Sequence, residues 1–297
     1  MEWTSYIIGT AAVLGTVVYL RKKKGKDTNR ECGKDYPKDT VILHQFPRGP
    51  FAPSMSGFCV KLETFLRMAK IPYQVNHGFP AKTSLIVIPY QNVHAYKTGP
   101  KGKSPWIEYN GVVLGDSQLI MSYLSEQLEI NLNMSLSKEQ RATARAFQKM
   151  VDEYMYWSVL LERWVYHRGE TSKTLTKLPS LFIWEIGRRT KNMTHAHGIG
   201  RHSPEEIDRI LEDDLTALAD FLGEKKFMFG DEPTEVDCAV FGQVAQVKYH
   251  VPETVKARKY LEESLPNLNA YMDRMKETFW PDWEECTTKG FTTEATK

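Results

Sequence analysis

The sequence predicts an α/β domain followed by an all-α domain, with one transmembrane helix ahead of both. Three patterns lead to this prediction. Residues 3–20 are uncharged and apolar over the length of a membrane span. Residues 40–130 alternate between short β-branched runs and amphipathic helical runs. Residues 138–280 carry apolar side chains at helical spacing, which is typical of a helical domain.

Composition excludes several classes of protein. The chain has 297 residues and a net charge of +2. Both values are typical of a globular protein, and the net charge is too small to create a strong positive potential that would attract polyanions. The run GRRTK at 187–191 fits a solvated helix end, so no nucleic-acid partner is predicted. The four cysteines lie far apart and are Cys32, Cys59, Cys238 and Cys286. This spacing excludes a disulfide framework and a four-thiolate zinc site, and it favours reduced thiols in the cytosol.

The N-terminal run WTSYIIGTAAVLGTVVYL, residues 3–20, predicts a single membrane-spanning helix. A helix of this length spans roughly 27 Å, close to the ~30 Å of a hydrocarbon core. The basic run RKKKGK follows, and residues 21–39 form a basic linker. Positive charge stays on the cytosolic side, which places the body in the cytosol on the endoplasmic reticulum or mitochondrial outer membrane. A buried core helix followed by a basic turn is the alternative.

Residues 40–130 show the order β-α-β and then β-β-α. TVILHQF (40–46) and IPYQVNH (71–77) predict strands, with an amphipathic helix between them. The pair Asn110-Gly111 is a strong hairpin signal and joins two further strands. Residues 117–128 then form a second amphipathic helix. This order, with Ser-Pro opening the third strand, predicts a thioredoxin-like domain.

Residues 40–128 resemble the N-terminal domain of cytosolic glutathione transferases, chiefly through GKSPWIEYNGVVLGDSQLIMSYL. In that family a cis-proline opens the third strand, and the backbone of the preceding residue pairs with the peptide of glutathione. Ser104 and Pro105 match this pattern. The family also has an acidic or polar residue followed by serine, which holds the γ-glutamyl group, and Asp116 and Ser117 match. A helix N-terminus favours a carboxylate ligand. The alternative is a plain N-cap without a ligand.

The helical region 138–280 contains MFGDEPTEVDCAVFGQV, which resembles the capping box and buried helix of the C-terminal domain of the same superfamily. Thr234 is the predicted cap, and Asp237 three residues later returns the bond. This signal concerns the fold and predicts no catalytic role. Residues 284–297 are polar and are predicted to form a flexible tail.

Within the superfamily the chain is similar to the failed axon connections family, whose relatives include metaxins and cadmium-responsive nematode proteins. The features that carry this likeness are the membrane-anchored N-terminus and the motif S-x-F-C-x-K-L-E-T-F-L, from Ser56 to Leu66. The likeness covers roughly residues 40–280. Two features depart from the family pattern. Gly57 stands where the family usually has proline. Residues 79–99 are longer and more apolar than expected, in a region that normally shapes one wall of the glutathione site.

Ser56 lies where the superfamily places its activating serine or cysteine, and it is the candidate catalytic residue. Its hydroxyl can donate to a thiolate and lower the pKa of the bound glutathione thiol. A serine cannot form the mixed disulfide that a cysteine forms, which disfavours reductase chemistry. The alternatives are a simple N-cap for Ser56 and a buried, inert thiol for Cys59.

Aromatic residues of the helical region are candidates for an apolar cleft between the domains. Glutathione transferases hold their electrophile in such a cleft, and the candidates here are Tyr154, Trp157, Trp164 and Tyr166. The alternative is that these rings pack in the helical core.

The histidines of THAHGIGRH do not predict a metal site. Convergent imidazoles and a further ligand are needed, whereas His195, His197 and His202 share their segment with two glycines, Gly198 and Gly200. A mobile surface loop is therefore predicted there, and no metal. Induction of relatives by cadmium does not imply that they bind it.

Two function classes remain. The first is a membrane-anchored, cytosol-facing glutathione S-transferase-like protein that binds glutathione or a related thiol, with low or no transferase activity. The second is a non-catalytic adaptor or assembly protein, as the resemblance to metaxins in import and to failed-axon relatives in axon development implies. The predicted partners are the membrane through residues 3–20, a glutathione-like small molecule, and a protein partner or a second copy of the chain.

Overall fold

The computed structural model describes residues 36–76 and 99–297, which contain a four-stranded mixed sheet. Its strands are β1 (Val41–His44), β2 (Tyr73–Asn76), β3 (Trp106–Tyr109) and β4 (Val112–Gly115). The strand order is β2-β1-β3-β4. β1 is parallel to β2 and antiparallel to β3, and β3 is antiparallel to β4.

Two helices, α1 (Gly57–Met68) and α2 (Ser117–Gln127), pack on one face of this sheet. Leu43 and Ile107 of the sheet share a buried cluster with Leu62 and Leu124 of the helices. Burial of these apolar side chains is the main force that holds the layers together. The order of the elements confirms the predicted thioredoxin-like domain.

The predicted hairpin between β3 and β4 turns at Asn110 and Gly111. Both residues have positive φ, +44° and +87°, which the tight two-residue turn requires and which these residue types tolerate. The Asn110 side chain also accepts a hydrogen bond from the Asp39 N–H at 2.9 Å. The hairpin prediction is confirmed.

The second half of the chain is helical within residues 138–279, which confirms the predicted all-α domain. Its helices are α3 (Lys138–Met150), α4 (Tyr156–Leu161), α5 (Arg168–Thr174), α6 (Ser180–His197), α7 (Pro204–Leu222), α8 (Glu235–His250), α9 (Lys256–Ser264) and α10 (Pro266–Phe279). Wider π-helical turns, Val151–Met155 and Glu162–Tyr166, lie on either side of α4. Leu211 and Leu215 of α7 are buried in one cluster with Val240 and Val244 of α8.

The start of α8 is held by the predicted capping box. Asp237 accepts hydrogen bonds from the N–H of Thr234 at 2.7 Å and from its hydroxyl at 2.8 Å. It also accepts from the N–H of Met228 at 2.9 Å and from the Tyr271 hydroxyl at 3.0 Å. The Asp237 side chain is fully buried, so these four bonds compensate for its desolvation.

Helices α1 and α8 approach each other closely at two glycines. A Cβ atom on Gly57 would lie 2.4 Å from the Gln243 Oε1, and one on Gly242 would lie 2.5 Å from the Gly57 carbonyl oxygen. A side chain therefore does not fit at Gly57. Beside this interface, Lys61 of α1 forms a buried ion pair at 2.5 Å with Asp152 of the π-helical turn Val151–Met155.

The structure corrects the predicted transmembrane architecture. No helix within residues 36–76 and 99–297 is both long and apolar enough to cross a membrane. Residues 3–20, to which the prediction applied, lie outside these ranges, as do most of the 21–39 linker and of the 79–99 segment. We therefore withdraw the transmembrane helix, the single-pass topology and the choice of organelle membrane.

Residues 284–297, predicted as a flexible tail, contact the loop that follows β1. The Thr288 N–H donates to the Gly49 carbonyl and the Gly290 N–H donates to the Pro50 carbonyl, both at 3.0 Å. Thr288 and Gly49 are 239 positions apart. A local sequence pattern carries no information about a contact of this range.

Candidate functional site

The sheet register brings the predicted binding stretches to one edge. Trp106 pairs with His44 on one side and with Gly115 on the other. Pro105 and Asp116, the next residues on their strands, therefore lie at the edge where β1 ends. The Ser104–Pro105 peptide bond is cis, as predicted. No backbone hydrogen bond joins Ser104 to another residue of the described ranges.

Asp116 performs the capping role that the sequence left open. Its Oδ1 accepts hydrogen bonds from the N–H groups of Gln118 at 3.0 Å and Leu119 at 3.1 Å. Asp116 also has a φ of +87°. This backbone conformation is uncommon for a residue other than glycine and is often found at functional sites. Asp116 is exposed and Ser117 is buried as the first residue of α2. The carboxylate therefore caps the helix and still faces solvent.

Ser56 occupies the N-cap position of α1, but its side chain makes no capping hydrogen bond. The backbone of Ser56 makes the local hydrogen bonds. Its N–H donates to the Ser54 Oγ at 3.2 Å, and its carbonyl accepts from the N–H groups of Cys59 and Val60. Ser56 is half-buried. The hydroxyl thus does not cap the helix, contrary to the simple N-cap alternative, and it contacts the Cys59 thiol instead.

Cys59 lies behind Ser56 and is fully buried. Burial raises the pKa of the Cys59 thiol to about 11, although the hydroxyls of Ser56 and Ser54 act in the opposite direction. The thiol is therefore protonated at neutral pH and shielded from solvent. This environment agrees with an inert cysteine.

Tyr156, which the sequence analysis did not select, faces the first turn of α1. Its ring lies 4.9 Å from the ring of Phe58, centroid to centroid. Of the predicted cleft residues, Tyr154 is 37% exposed and Trp157 packs against His197 at 5.1 Å. The Trp164 carbonyl lies against Gly187 of α6. The Trp157 ring also lies 5.1 Å from the Tyr156 ring, so Trp157 is one ring further from Phe58 than Tyr156 is.

The π-helical turns on both sides of α4 explain this difference. A π-helical turn contains more residues than an α-helical turn, so each one rotates the side chains that follow it around the helix axis. A helical wheel at 3.6 residues per turn, drawn through residues 138–166, therefore assigns the wrong faces after residue 151. No motif in the sequence signals these turns.

A second residue that the sequence analysis missed is Arg163, which is 2% exposed. Its Nη1 donates to the Met55 carbonyl at 2.9 Å, its Nε to the His250 carbonyl at 2.8 Å, and its Nη2 to the Gln246 Oε1 at 3.0 Å. Burial lowers the pKa of Arg163 to about 10, so the guanidinium remains charged at neutral pH. Arg163 therefore ties the helical domain to the residue that precedes Ser56.

Comparisons with known proteins agree with this fold. Residues 83–169 match the family model for the glutathione S-transferase N-terminal domain, and residues 211–275 match the model for the C-terminal domain. The protein called Failed axon connections from Drosophila melanogaster is 34% identical over 86% of this chain, which spans 62% of that protein's length. Metaxin-2 of Mus musculus is 20% identical over 84% of this chain and 91% of its own. The chain is a metaxin-like member of the glutathione S-transferase superfamily.

Other members of the superfamily are similar over shorter stretches or in fold alone. Isoprene-epoxide–glutathione S-transferase of Rhodococcus is 29% identical over 61% of this chain and 79% of its own. A glutathione S-transferase of Methylobacterium radiotolerans, solved in complex with glutathione sulfonate, has a TM-score of 0.52 and 17% identity. That match covers 82% of this chain and 94% of the solved one. At this identity the likeness concerns the fold.

The histidine segment of this superfamily member is helical where a loop was predicted. His195 and His197 lie in the last turn of α6, which ends at Gly198 with a φ of +108°. His202 follows a short 3₁₀ turn and lies 3.5 Å from Glu206. Among the described residues no group of histidine, cysteine and carboxylate side chains is arranged to hold a metal ion.

Proposed function

We propose that the chain binds glutathione or a related γ-glutamyl thiol at the sheet edge, with low or no transferase activity. The observation that carries the proposal is the Ser56 hydroxyl, which lies at the N-terminus of α1 without capping it. The free N–H groups of a helix N-terminus and its positive partial charge favour a thiolate or carboxylate at that point. In this proposal the Ser56 hydroxyl donates to the sulfur of the ligand.

The other contacts follow the superfamily pattern. In this proposal the Ser104 backbone pairs with the middle of the tripeptide, and Asp116 and Ser117 hold the γ-glutamyl end. Support comes from the shared edge of the sheet, from the Ser104 backbone, which bonds no other residue of the described ranges, and from the positive φ of Asp116. The exposed carboxylate of Asp116 retains an oxygen, Oδ2, beyond the one that caps α2.

We expect this site to have little catalytic activity. A serine at position 56 cannot form a mixed disulfide, and Cys59 is buried with a raised pKa. A hydroxyl that donates to a thiolate matters mainly when the thiolate forms, so its effect appears in turnover more than in ground-state binding. We therefore expect Ser56→Ala to leave glutathione binding nearly unchanged and to remove whatever conjugation the wild type performs.

Calorimetric titration of the full chain with glutathione tests the proposal. Loss of a hydrogen bond to a charged group costs roughly 1.5–3 kcal/mol, so Asp116→Ala should weaken binding about ten- to hundredfold. Ser137→Ala removes a serine N-cap from α3, remote in the chain from the site, and is the matched control for lost capping. Its affinity should equal that of the wild type. Absence of binding at millimolar glutathione contradicts the proposal.

The second candidate is a non-catalytic adaptor or assembly protein. It is favoured by the similarity to Failed axon connections and metaxin-2 and by apolar side chains exposed on α6. Leu181 is 72% exposed and Trp184 is 50% exposed, one helical turn apart. Surface apolar pairs of this kind are found at protein contacts. Two results together support this candidate. The wild type shows no glutathione binding, and it holds a stable protein partner that the Trp184→Ala variant loses.

A further inference from the structure

Trp184 of α6 is an exposed aromatic side chain that lies among cationic ones. It is 50% exposed, and the Arg188 guanidinium lies 6.0 Å from the centre of its ring. Arg168 of α5 approaches α6 at Gly187, since a Cβ atom on Gly187 would lie 3.2 Å from the Arg168 Cδ. Trp184 and Lys191 are three and four positions from Gly187, so they lie beside it on the helix surface. Arg168, Arg188 and Lys191 therefore border the exposed part of Trp184.

Leu181 extends this surface toward the start of α6. It is 72% exposed and lies three positions before Trp184, so the two side chains are neighbours on the helix. We call this surface the basic-aromatic patch, and its members are Arg168, Leu181, Trp184, Arg188 and Lys191. Exposed apolar side chains that are rimmed by polar ones are typical of a contact site.

The segment 168–202, which contains the patch, is more positive than the chain as a whole. It has seven lysine and arginine residues and two glutamates, a net charge of +5, whereas the whole chain has +2. Arg188 and Arg189 both pair with Glu185. The other cations of the segment form no ion pair with a carboxylate in the part of the chain that the structure describes, and they are Arg168, Lys173, Lys177, Lys191 and Arg201. This charge attracts negatively charged partners.

The patch thus sets two requirements for a partner. Leu181 and Trp184 leave water only if the partner brings apolar side chains of its own. The charges of Arg168 and Lys191 are compensated only if the partner brings carboxylates to the rim of the contact. Both occur together in an acidic protein segment whose apolar side chains share one face, which is how amphipathic helices dock on other proteins.

A lipid surface and a nucleic acid fit the patch less well. Met193 of α6 is 49% exposed but lies nine positions after Trp184, and hence on the opposite side of the helix. An interfacial helix instead presents apolar side chains along one whole face. Single-stranded nucleic acids stack their bases on successive aromatic rings, and Trp184 is the one exposed ring of α6. An acidic protein segment is therefore the occupant that this surface favours.

We propose that the basic-aromatic patch binds an acidic protein segment that carries apolar anchors. The inference rests on the adaptor candidate of the proposed function and names the chemistry of its partner. The apolar anchors pack on Leu181 and Trp184. The carboxylates pair with Arg168 and Lys191, and the contact weakens as salt screens these charges.

A fluorescently labelled synthetic peptide of repeated Glu-Leu-Glu-Ala units probes the patch on the full chain. Its helix is acidic and carries leucine at every fourth position, so the leucines share one side. Two control peptides replace either glutamate by glutamine or leucine by alanine. Fluorescence anisotropy at low salt should show that both controls bind about tenfold more weakly than the acidic peptide. The affinity of the acidic peptide should also fall as sodium chloride is added.

Two pairs of variants test which side chains make the contact. Trp184→Ala should weaken binding about tenfold, as truncation of an aromatic anchor does, whereas Met193→Ala, on the opposite side of α6, should leave it unchanged. Lys191→Glu should weaken binding about three- to tenfold, because the reversed charge repels the glutamates. Lys259→Glu makes the same change of charge at an exposed position of α9 and should leave binding unchanged. Should Trp184→Ala fail to fold, as judged by circular dichroism, Leu181→Ser tests the same apolar contact.

The outcomes separate this inference from the proposed function. The glutathione titration decides the glutathione site and involves no residue of the patch. Absence of peptide binding, or equal binding of the neutral control peptide, overturns the inference. Binding of phosphatidylserine vesicles or of a deoxythymidine oligonucleotide through Trp184, without binding of the acidic peptide, assigns the patch to another class of partner and also overturns it. A stable protein partner that Trp184→Ala loses and Lys191→Glu retains supports the adaptor candidate and overturns the acidic chemistry of its partner.

Discussion

The helix starts of this chain use the same residue type in two ways. Ser137 at the start of α3 accepts a hydrogen bond from the Gln140 N–H at 3.1 Å, and the Gln140 side chain accepts from the Ser137 N–H at 2.9 Å. Ser203 and Glu206 form the same reciprocal pair at the start of α7. Ser56 stands at the start of α1 with no such bond.

The physical reason lies three residues further on. A capping box needs a side chain at the third helical position that can accept from the N-cap backbone, and in α1 that residue is the buried Cys59. The N–H of Ser56 instead donates to Ser54. A serine at a helix start is therefore not by itself a cap. Where the helix does not use the hydroxyl, a ligand can.

The start of α8 is the strongest cap in this comparison, and its loss should have the largest effect. Asp237→Ala leaves the N–H groups of Thr234 and Met228 and the Tyr271 hydroxyl without their acceptor in the core. Each buried unsatisfied group costs about 1–3 kcal/mol. We expect the free energy of unfolding in urea to fall by more than about 3 kcal/mol. A loss below 1 kcal/mol contradicts this description of the box.

Asp214, inside α7, is half-buried, and one of its carboxylate oxygens is enclosed by the protein. Its Oδ2 has no hydrogen-bond partner within the described ranges. Burial, with a smaller contribution from Asp213, raises the pKa of Asp214 to about 7. The native state therefore binds more protons than the unfolded state, where the pKa is about 3.9. Stability should then fall as the pH rises from about 4 to about 7.

Urea unfolding of Asp214→Asn at pH 5 and pH 8 measures this effect. The variant should be more stable than the wild type at pH 8, and its advantage should shrink at pH 5. Asp220→Asn, at an exposed position of the same helix, is the control and should show no such pH dependence. An advantage for Asp214→Asn that is equal at both pH values excludes the raised pKa.

The smallest expected effects on stability are those of substituting the N-cap serines Ser137 and Ser56. Ser137→Ala should lower the free energy of unfolding by about 1 kcal/mol, the usual cost of a lost N-cap. Ser56→Ala should lower it by less than about 0.5 kcal/mol, the range of substitutions that remove no such feature. Equal losses in the two variants show that Ser56 caps α1 in solution and weaken the case for a free hydroxyl.

Local chemistry explains which features the sequence could predict. The turn at Asn110 and Gly111, the box of Thr234 and Asp237, and the cap at Asp116 depend on residues a few positions apart, and all three are present. Each needs a specific side chain or a specific φ, which narrows the choice of residue.

The features that the sequence did not predict depend on distant parts of the chain or on irregular helical turns. Tyr156 contacts Phe58 and Arg163 bonds the Met55 carbonyl, on either side of Ser56, because π-helical turns change the phase of their helix. Gly57 is explained by α8, because a Cβ atom at this position would clash with Gln243 and with the Gly242 carbonyl oxygen. The contact between residues 284–297 and the loop after β1 is likewise beyond the reach of local patterns.

The central claim is that the sheet edge, including the uncapped start of α1, binds a γ-glutamyl thiol. Amide-resolved NMR during a glutathione titration of the full chain tests it most directly. We predict that the largest shifts occur at the N–H groups of Gly57, Phe58, Ser104 and Ser117, with saturation in the millimolar range. Shifts confined to other surfaces, or no shifts at millimolar glutathione, would contradict the account.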